Sequence, residues 1–348
     1  MSIARPLPLK FQIGARTLGA IRRDLVRVPL SLDDALDGDL PDLPALDPAA
    51  DGYLVTSLAE HHRHALAYAA SPAIAFTRQR YTRRYADLTI GFQAYLDRLS
   101  SNTRSGIKRK AKKVAAASDG KLDVRRYATP AELREFHEVA RRLALATYQE
   151  KLMGAGLPDT PDFLQRMYVM AAEGNVRAWL LYVGGEPAAY LYCPVHDGTV
   201  IYEYVGHDPR FGDLSVGAVL QVEALRDLFA DPACRRFDFT EGDGQHKRQF
   251  ATGGVDCCDL LLLRPTLANR LAVAALAGFD ARWRWPRLAW IGWASRTWRR
   301  RSAAPERTWG SAEPPILLCN PPHFVTDGGT FERTSFIGGP PSTMVKLE

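Results

Sequence analysis

Residues 175–206 carry the pattern that most restricts the fold. A β-rich run from Asn175 to Val183 ends at Gly184-Gly185-Glu186, and a second from Pro187 to Val195 ends at His196-Asp197-Gly198. A third run, rich in Val, Ile and Tyr, spans Thr199 to Gly206. Strands joined by turns this short must pair antiparallel, since a parallel connection needs a crossover of a dozen residues or more. The spacing therefore predicts a three-stranded meander. A helix from about Ser215 to Ala230 and a short strand from Arg236 to Thr240 follow it.

The rest of the chain has enough apolar material to build on that core. Of 348 residues, 46% are hydrophobic and 24% charged, a balance that folds. The length suggests about two domains. The longest apolar run, Leu271 to Phe279, is far shorter than the ~20 residues needed to cross a bilayer. No export signal is expected from the N-terminus, which lacks an apolar core. Cys193, Cys234, Cys257, Cys258 and Cys319 include no CxxC pair, so neither a disulfide framework nor a metal site is expected. A reducing cytoplasm is the implied compartment.

Ahead of the meander, residues 1–30 read as strand pieces and Pro41, Pro44 and Pro48 as a loop. Ser57 to Tyr68 reads as a helix, Ala73 to Tyr85 as a strand and Phe92 to Leu99 as a short helix. Ser101, Asn102 or Thr103 can cap a basic helix to about Ala117, followed by a strand from Lys121 to Tyr127. Thr129-Pro130-Ala131-Glu132 has the form of a capping box with proline in the first turn, and a further helix spans about Pro161 to Glu173.

Charge is clustered rather than large. There are 45 basic and 39 acidic residues, a net charge of +6. Acids crowd Asp33 to Asp51. Bases crowd two stretches: Arg104 to Lys113, and Arg282 to Arg301, where seven arginines interleave with Trp283, Trp285, Trp290, Trp293 and Trp298. Such stretches imply an anionic partner. No base-reading module accompanies them, so nucleic acid is not the expected one.

Three antiparallel strands, a loop, a helix and a further strand is the core order of the GNAT acyltransferases. The local sequence resembles the branch of that superfamily associated with cellulose and exopolysaccharide gene clusters, which borders on the FemAB-like transferases. The matching pieces are Tyr95-Leu96 with Ser101-Asn102-Thr103-Arg104; Tyr204-Val205-Gly206-His207-Asp208-Pro209; Ser215-Val216-Gly217; and Phe237-Asp238-Phe239 leading to Gly242 and Lys247. The resemblance covers about residues 85 to 262. It implies an α/β (α+β) fold with a mixed, mainly antiparallel sheet flanked by helices, and a degenerate GNAT-like half at the N-terminus. The expected divisions are 1–85, that half; 86–262, the acyltransferase core; 263–301, a Trp/Arg-rich amphipathic membrane-interface segment; and 302–348, a tail in which twelve of 47 residues are Pro or Gly.

What the resemblance implies chemically is acyl transfer to an amine, with acyl-coenzyme A or an acyl-carrier protein as co-substrate and no permanently bound cofactor. A helix starting near Ser215 presents unpaired amides to a pyrophosphate. Ser215, Val216 and Gly217 are therefore donor-binding candidates, with Arg104 and Lys247 as phosphate partners. The transfer needs a base. Candidates are Glu203, His207, Asp238 and Glu241. Strand alternation puts Tyr202 and Tyr204 on one face and Glu203 on the other. Each of these also has a plain structural reading: a helix cap for Ser215, a packing position for Gly217, a solvated strand residue for Glu203, a turn for His207, and pairing with Lys247 or backbone amides for Asp238 and Glu241. No serine or cysteine nucleophile motif competes.

Residues 259 to 301, with Leu260 to Leu263 leading into the tryptophans and arginines, match a segment lying in a membrane interface; the same tryptophans would also suit covering the domain or a dimer interface, or stacking on single-stranded nucleic acid. The expectation is an enzyme peripheral to the inner face of the cytoplasmic membrane. Its lipid-like acceptor would be a long-chain amino alcohol, as for GNAT-type ceramide synthases of sphingolipid-making bacteria. Two other readings stand beside it: acetylation of a cell-envelope polysaccharide or sugar amine, and a non-catalytic scaffold that docks membranes or nucleic acid.

Overall fold

The computed structural model describes residues 4–13, 16–146, 156–242 and 244–298. The chain opens on a hairpin of β1 (Arg5–Ile13) and β2 (Arg16–Pro29). A short helix, α1 (Leu32–Asp37), starts at a Ser31–Asp34 capping box and stops at Gly38 in the left-handed region. Then come β3 (Gly52–Ala59), α2 (Arg63–Ala69) and β4 (Ile74–Asp87). The helix expected over Ser57 to Tyr68 is thus split. Its first three residues belong to β3, where pairing with a distant strand overrides local preference.

Helices α3 (Phe92–Arg98) and α4 (Ser101–Ala116) follow. The α4 cap is Ser100, one residue ahead of the expected caps; its Oγ accepts from Thr103 N at 3.2 Å. After β5 (Asp123–Tyr127), α5 (Pro130–Ala146) starts at the expected box, with Thr129 N donating to Glu132 Oε2 at 2.9 Å. Next are α6 (Pro161–Ala172), β6 (Val176–Val183), β7 (Glu186–His196), β8 (Thr199–Ile201) and β9 (Tyr204–His207). The described chain ends with α7 (Val216–Phe229), β10 (Arg236–Asp238), α8 (Gln245–Phe250), β11 (Gly253–Leu263) and α9 (Leu267–Trp298). The expected tail from 302 lies outside the described residues.

All eleven strands form one sheet in the order β1-β2-β3-β11-β4-β10-β8-β7-β6-β5, with β9 also on β7. The β2–β3 and β8–β10 pairs are parallel and the others antiparallel. Helices cover both faces, which makes this a mixed α/β fold on a large, mainly antiparallel sheet. On β6 the alternation is explicit. Trp179, Leu181 and Val183 join the core under α3, α4 and α7, while Ala178, Leu180 and Tyr182 join the core under α5 and α6.

Leu260 to Leu263 are not a membrane approach. They sit in β11 between β3 and β4, with Leu260 and Leu262 packed toward α2 and Leu261 and Leu263 toward α9. A strand buried on both faces is apolar at every position, and that uninterrupted run gives the sequence its membrane-like look. Cys193, Cys234, Cys257 and Cys258 are buried free thiols.

The third strand of the meander is broken. β8 pairs with the end of β7 through Val200 and Thr199, the chain leaves strand geometry at Tyr202 and Glu203, and β9 resumes on β7 with Tyr204 opposite Tyr192. Two residues between strand segments defeat simple alternation. Tyr202 packs with the α7-side core and Tyr204 with the α5/α6-side core, on opposite faces of the sheet rather than the same one.

Gly206 lets β9 lie flat on β7: a Cβ there would stand 2.5 Å from the ring of Tyr190, which is itself fully buried. Gly206→Ala should therefore lower stability by about 1–3 kcal/mol. Urea denaturation is the check, and an unchanged midpoint would contradict this packing.

Candidate active site

β8 and β10 run parallel as far as Ile201 and Asp238, and Tyr202 N still donates to Asp238 O at 3.0 Å. Beyond that bond they separate: β9 stays on β7, and the β10 side turns through Phe239 and Thr240, the latter at φ 61°. The parting opens the sheet between two parallel strands, and the candidate residues lie around it.

Glu203 sits at the break itself. Burial pushes its carboxyl up to about 7, against the pull of the Arg166 charge on α6. Its surroundings are aromatic. Tyr192 and Tyr204 lie within its electrostatic reach, and their rings are 6.1 Å apart, each 5.7 Å from Phe163. Arg166 Nη2 is buried with no hydrogen-bond partner among the described residues. On the opposite side of the sheet, Tyr202 meets Phe237 edge-on and lies tilted against Phe239 and His246. Burial and the Lys247 charge push His246 down to about 4, and among the described residues its Nε2 also has no partner.

His207 lies four residues along from Glu203, on the order of 13 Å at strand rise. The two side chains therefore do not converge on one proton. The imidazole faces the first turn of α7, where a Cβ on Gly217 would be 3.9 Å from its Nδ1. Burial lowers its pKa, opposed by Asp208. Ser215 precedes that turn in the left-handed region, φ 55° and ψ 40°, and its side chain makes no capping hydrogen bond. The leading amides of α7 at Val216 and Gly217 thus have no serine cap. Lys113 of α4 steadies the preceding loop, donating from Nζ to Asp213 O at 2.7 Å.

The remaining candidates are held elsewhere. Asp238 is fully buried. Arg83 of β4 grips it with Nη2 to Oδ2 at 2.6 Å and Nε to Oδ2 at 3.1 Å, and Thr240 N donates to Oδ1 at 2.8 Å. Its partner is Arg83 rather than Lys247. Lys247 is buried and donates to the Glu241 backbone carbonyl. For Glu241, burial and nearby Asp259 push the carboxyl up to about 7, opposed by Arg27, Arg83 and Lys247. Gln79 Nε2 bridges the two acids, 2.7 Å from Asp259 Oδ2 and 3.4 Å from Glu241 Oε2. Arg104 closes the end of α3, its Nη1 donating to Leu99 O at 2.7 Å and Asp97 O at 3.1 Å. Both of these bonds use Nη1.

Arg166, His246 and Tyr192 are the residues that sequence reasoning missed. Arg166 and His246 lie on helices outside the meander, and a lone Arg or His on a helix carries no signal of what it faces.

Residues 101–248, from α4 to α8, match the family model described as the acetyltransferase (GNAT) domain. That span is what the chain shares with the family, and it contains every candidate residue named above. A structure of FemX is similar at 9% identity and TM-score 0.47, covering 78% of this chain and 90% of that one. The L-PGS structure from Bacillus licheniformis aligns at 12% identity and TM-score 0.42, covering 64% and 71%. A GCN5-related N-acetyltransferase from Kribbella flavida aligns at 14% identity and TM-score 0.34, covering 62% and 70%. No curated protein matches the sequence.

Asp238 and Arg83 form a buried, bonded pair. Asp238→Ala leaves the Arg83 charge buried and should cost about 3–5 kcal/mol in a denaturation experiment. Asp238→Leu combined with Arg83→Met should recover much of that loss. Turnover per folded molecule should stay near wild type in the double variant.

Proposed function

We propose that this protein transfers an acyl group from a coenzyme A thioester to an amine, with Glu203 as the general base. The observation that carries the reading is the parting of the parallel strands at Ile201 and Asp238, with a carboxyl of pKa about 7 at the break. An uncapped helix start lies farther along the same strand, beside His207. The amides of Val216 and Gly217 suit the donor's pyrophosphate. The thioester arm would enter the split, and the amine would approach along the Phe163, Tyr192 and Tyr204 wall.

The step balances without a covalent enzyme intermediate. The amine nitrogen attacks the thioester carbonyl, a C–N bond forms and the C–S bond breaks. Glu203 takes the proton released from nitrogen, and that proton ends on the departing sulfur as free thiol. A base must be ionised to act, and a carboxyl at about 7 is half ionised at neutral pH while keeping proton affinity. Asp238 is not retained as a base, because the Arg83 fork and the Thr240 amide occupy its lone pairs.

For the acceptor we infer a long-chain amino alcohol of the sphingoid-base class, so that the product is an N-acylated lipid. Aromatic lining beside Glu203 suits an amphiphilic amine better than a sugar, whose hydroxyls would need polar partners. The working location on this reading is the inner face of the cytoplasmic membrane.

Free-thiol release is the test, with acetyl-, octanoyl- and palmitoyl-coenzyme A against sphinganine or glucosamine. Turnover with palmitoyl donor and sphinganine alone is the expected result. Turnover with acetyl donor and glucosamine would replace the lipid acceptor by a sugar amine, and no turnover with coenzyme A or carrier-protein thioesters would leave a non-catalytic scaffold.

Glu203→Gln should lower kcat about 10²–10⁴-fold. In the wild type, kcat/KM should rise with pH and level off above about 7. Stability should move the other way. The folded state holds its Glu203 proton to higher pH than the unfolded state, so stability falls as pH climbs from about 4.5 to about 7 and stays at the lower level above that. Glu203→Gln should accordingly raise Tm at pH 8 while abolishing the pH step in turnover. At the helix start, Gly217→Ala should raise the donor KM about tenfold with stability unchanged, since the added Cβ would stand in ordinary contact, 3.9 Å from His207 Nδ1.

A further inference from the structure

Helix α9 has one face fixed to the protein and one that the fold does not use. Its inner face is anchored along its first four turns. Asn269 is fully buried: its Oδ1 accepts from Arg23 Nε at 2.8 Å, and its Nδ2 donates to Arg264 O at 3.1 Å. Ala272 and Leu276 are buried, and Val273 and Leu276 pack on Leu9, Leu25, Leu261 and Leu263. Phe279 meets Phe11 edge-on at 5.3 Å, and Asp280 reaches Arg78 at 3.8 Å. These contacts set the rotation of the helix about its axis.

The outer face is then fixed by geometry. Leu267, Leu271, Ala274, Gly278 and Ala281 follow at helical spacing and all are exposed, Leu267 at 73% and Leu271 at 62%. The only charged outward residues between 267 and 282 are Arg270 and Arg282. A helix that merely covers a sheet carries polar and mixed charges outside. Here every outward position is apolar or arginine.

Charge says what fits this face. From Leu267 to Trp298 the helix has five arginines and a single acid, Asp280, and that acid is turned to Arg78. The same helix runs on into the stretch where tryptophans and arginines alternate. A second copy of this chain would bring arginine against arginine. A nucleic acid strand would leave the leucines without a partner. An anionic bilayer satisfies both features, taking apolar side chains at the acyl boundary and arginines at the phosphates. No described helix is long and apolar enough to cross a membrane, which is consistent with one lying along the surface.

We infer that the outward face of α9 docks the protein onto an anionic phospholipid surface, with Leu267 and Leu271 entering the headgroup layer and Arg270 and Arg282 on its phosphates. This stands on the helix alone and does not depend on the catalytic reading.

The experiment is flotation of the full chain with vesicles of phosphatidylcholine, alone or mixed equally with phosphatidylglycerol, at low and high salt. The expected result is flotation with the anionic vesicles, weakened by salt. The paired variant Leu267→Glu/Leu271→Glu, and separately Arg270→Glu/Arg282→Glu, should each bind at least about tenfold more weakly. All these positions are exposed, so the variants should keep the wild-type Tm, which is measured alongside. Flotation with neutral vesicles to the same extent, no flotation, or undiminished flotation of both variants would overturn the proposal. So would a wild-type dimer that the leucine variant dissociates with no lipid bound, or binding of a single-stranded oligonucleotide in place of vesicles. Thiol release with a water-soluble amine reads the catalytic proposal separately: it should be the same in wild type and both variants, and its absence beside intact flotation would count against catalysis alone.

Discussion

Three residues of backbone, Arg236–Asp238, join the two parts of the sheet: β10 lies antiparallel to β4 on one side and parallel to β8 on the other. So short a strand contributes few ladder bonds, and side chains complete the seam. Arg83 forks onto Asp238 and also donates to Leu30 O at 2.8 Å, while Asp33 takes Arg236 and accepts from Thr199 Oγ1. A buried ion pair is weak evidence of net stability, because desolvating two charges offsets most of their attraction. Its consequence here is register. Sliding β10 by one residue along β4 would turn Asp238 to the opposite face and put Phe237 among the charges.

With the register set, the opening of the sheet follows. β8 can accompany β10 only to Asp238, since β9 is drawn back onto β7 by Tyr204 opposite Tyr192 and by the close fit of Gly206 on Tyr190. The two residues between, Tyr202 and Glu203, belong to neither strand segment. Glu203 is thereby withdrawn from water without gaining a full ion pair, and the raised pKa is the result. On the proposed function, the same desolvation that would make the carboxyl a useful base near pH 7 makes its charged form unfavourable in the fold. On that reading, stability and reactivity at this residue are one effect with two readouts.

Local patterns in the sequence are enough for the meander, the Thr129 capping box and the helix after Leu214, because turn chemistry and caps act within a few residues. The break in the third strand is not legible: Thr199 to Gly206 alternates as one strand would, and only pairing with β10 and β7 divides it. Asp238 reads as a base because its partner Arg83 lies 155 residues away. Arg104 reads as a phosphate ligand because basic helix starts often are, but the α3 carbonyls it holds are invisible to a count of charges. Leu260 to Leu263 read as a lipid approach for a related reason. Burial on both faces of a sheet and burial in a membrane select the same side chains, and only the strand order separates them.

On the proposed function, the arrangement would keep two reactants of unlike character apart until they react. Ser215, Gly217 and His207 belong to the face covered by α3, α4 and α7; Tyr192, Tyr204, Phe163 and Arg166 belong to the face covered by α5 and α6. An intact sheet would bar any contact between a ligand on one face and a ligand on the other. The strand break at Tyr202 and Glu203 is where that barrier fails, and the carboxyl stands at that point. A polar, anionic donor and an amphiphilic amine could thus each meet surroundings suited to it and share only the gap. Selectivity for each would then be set on separate faces, while the base serves both.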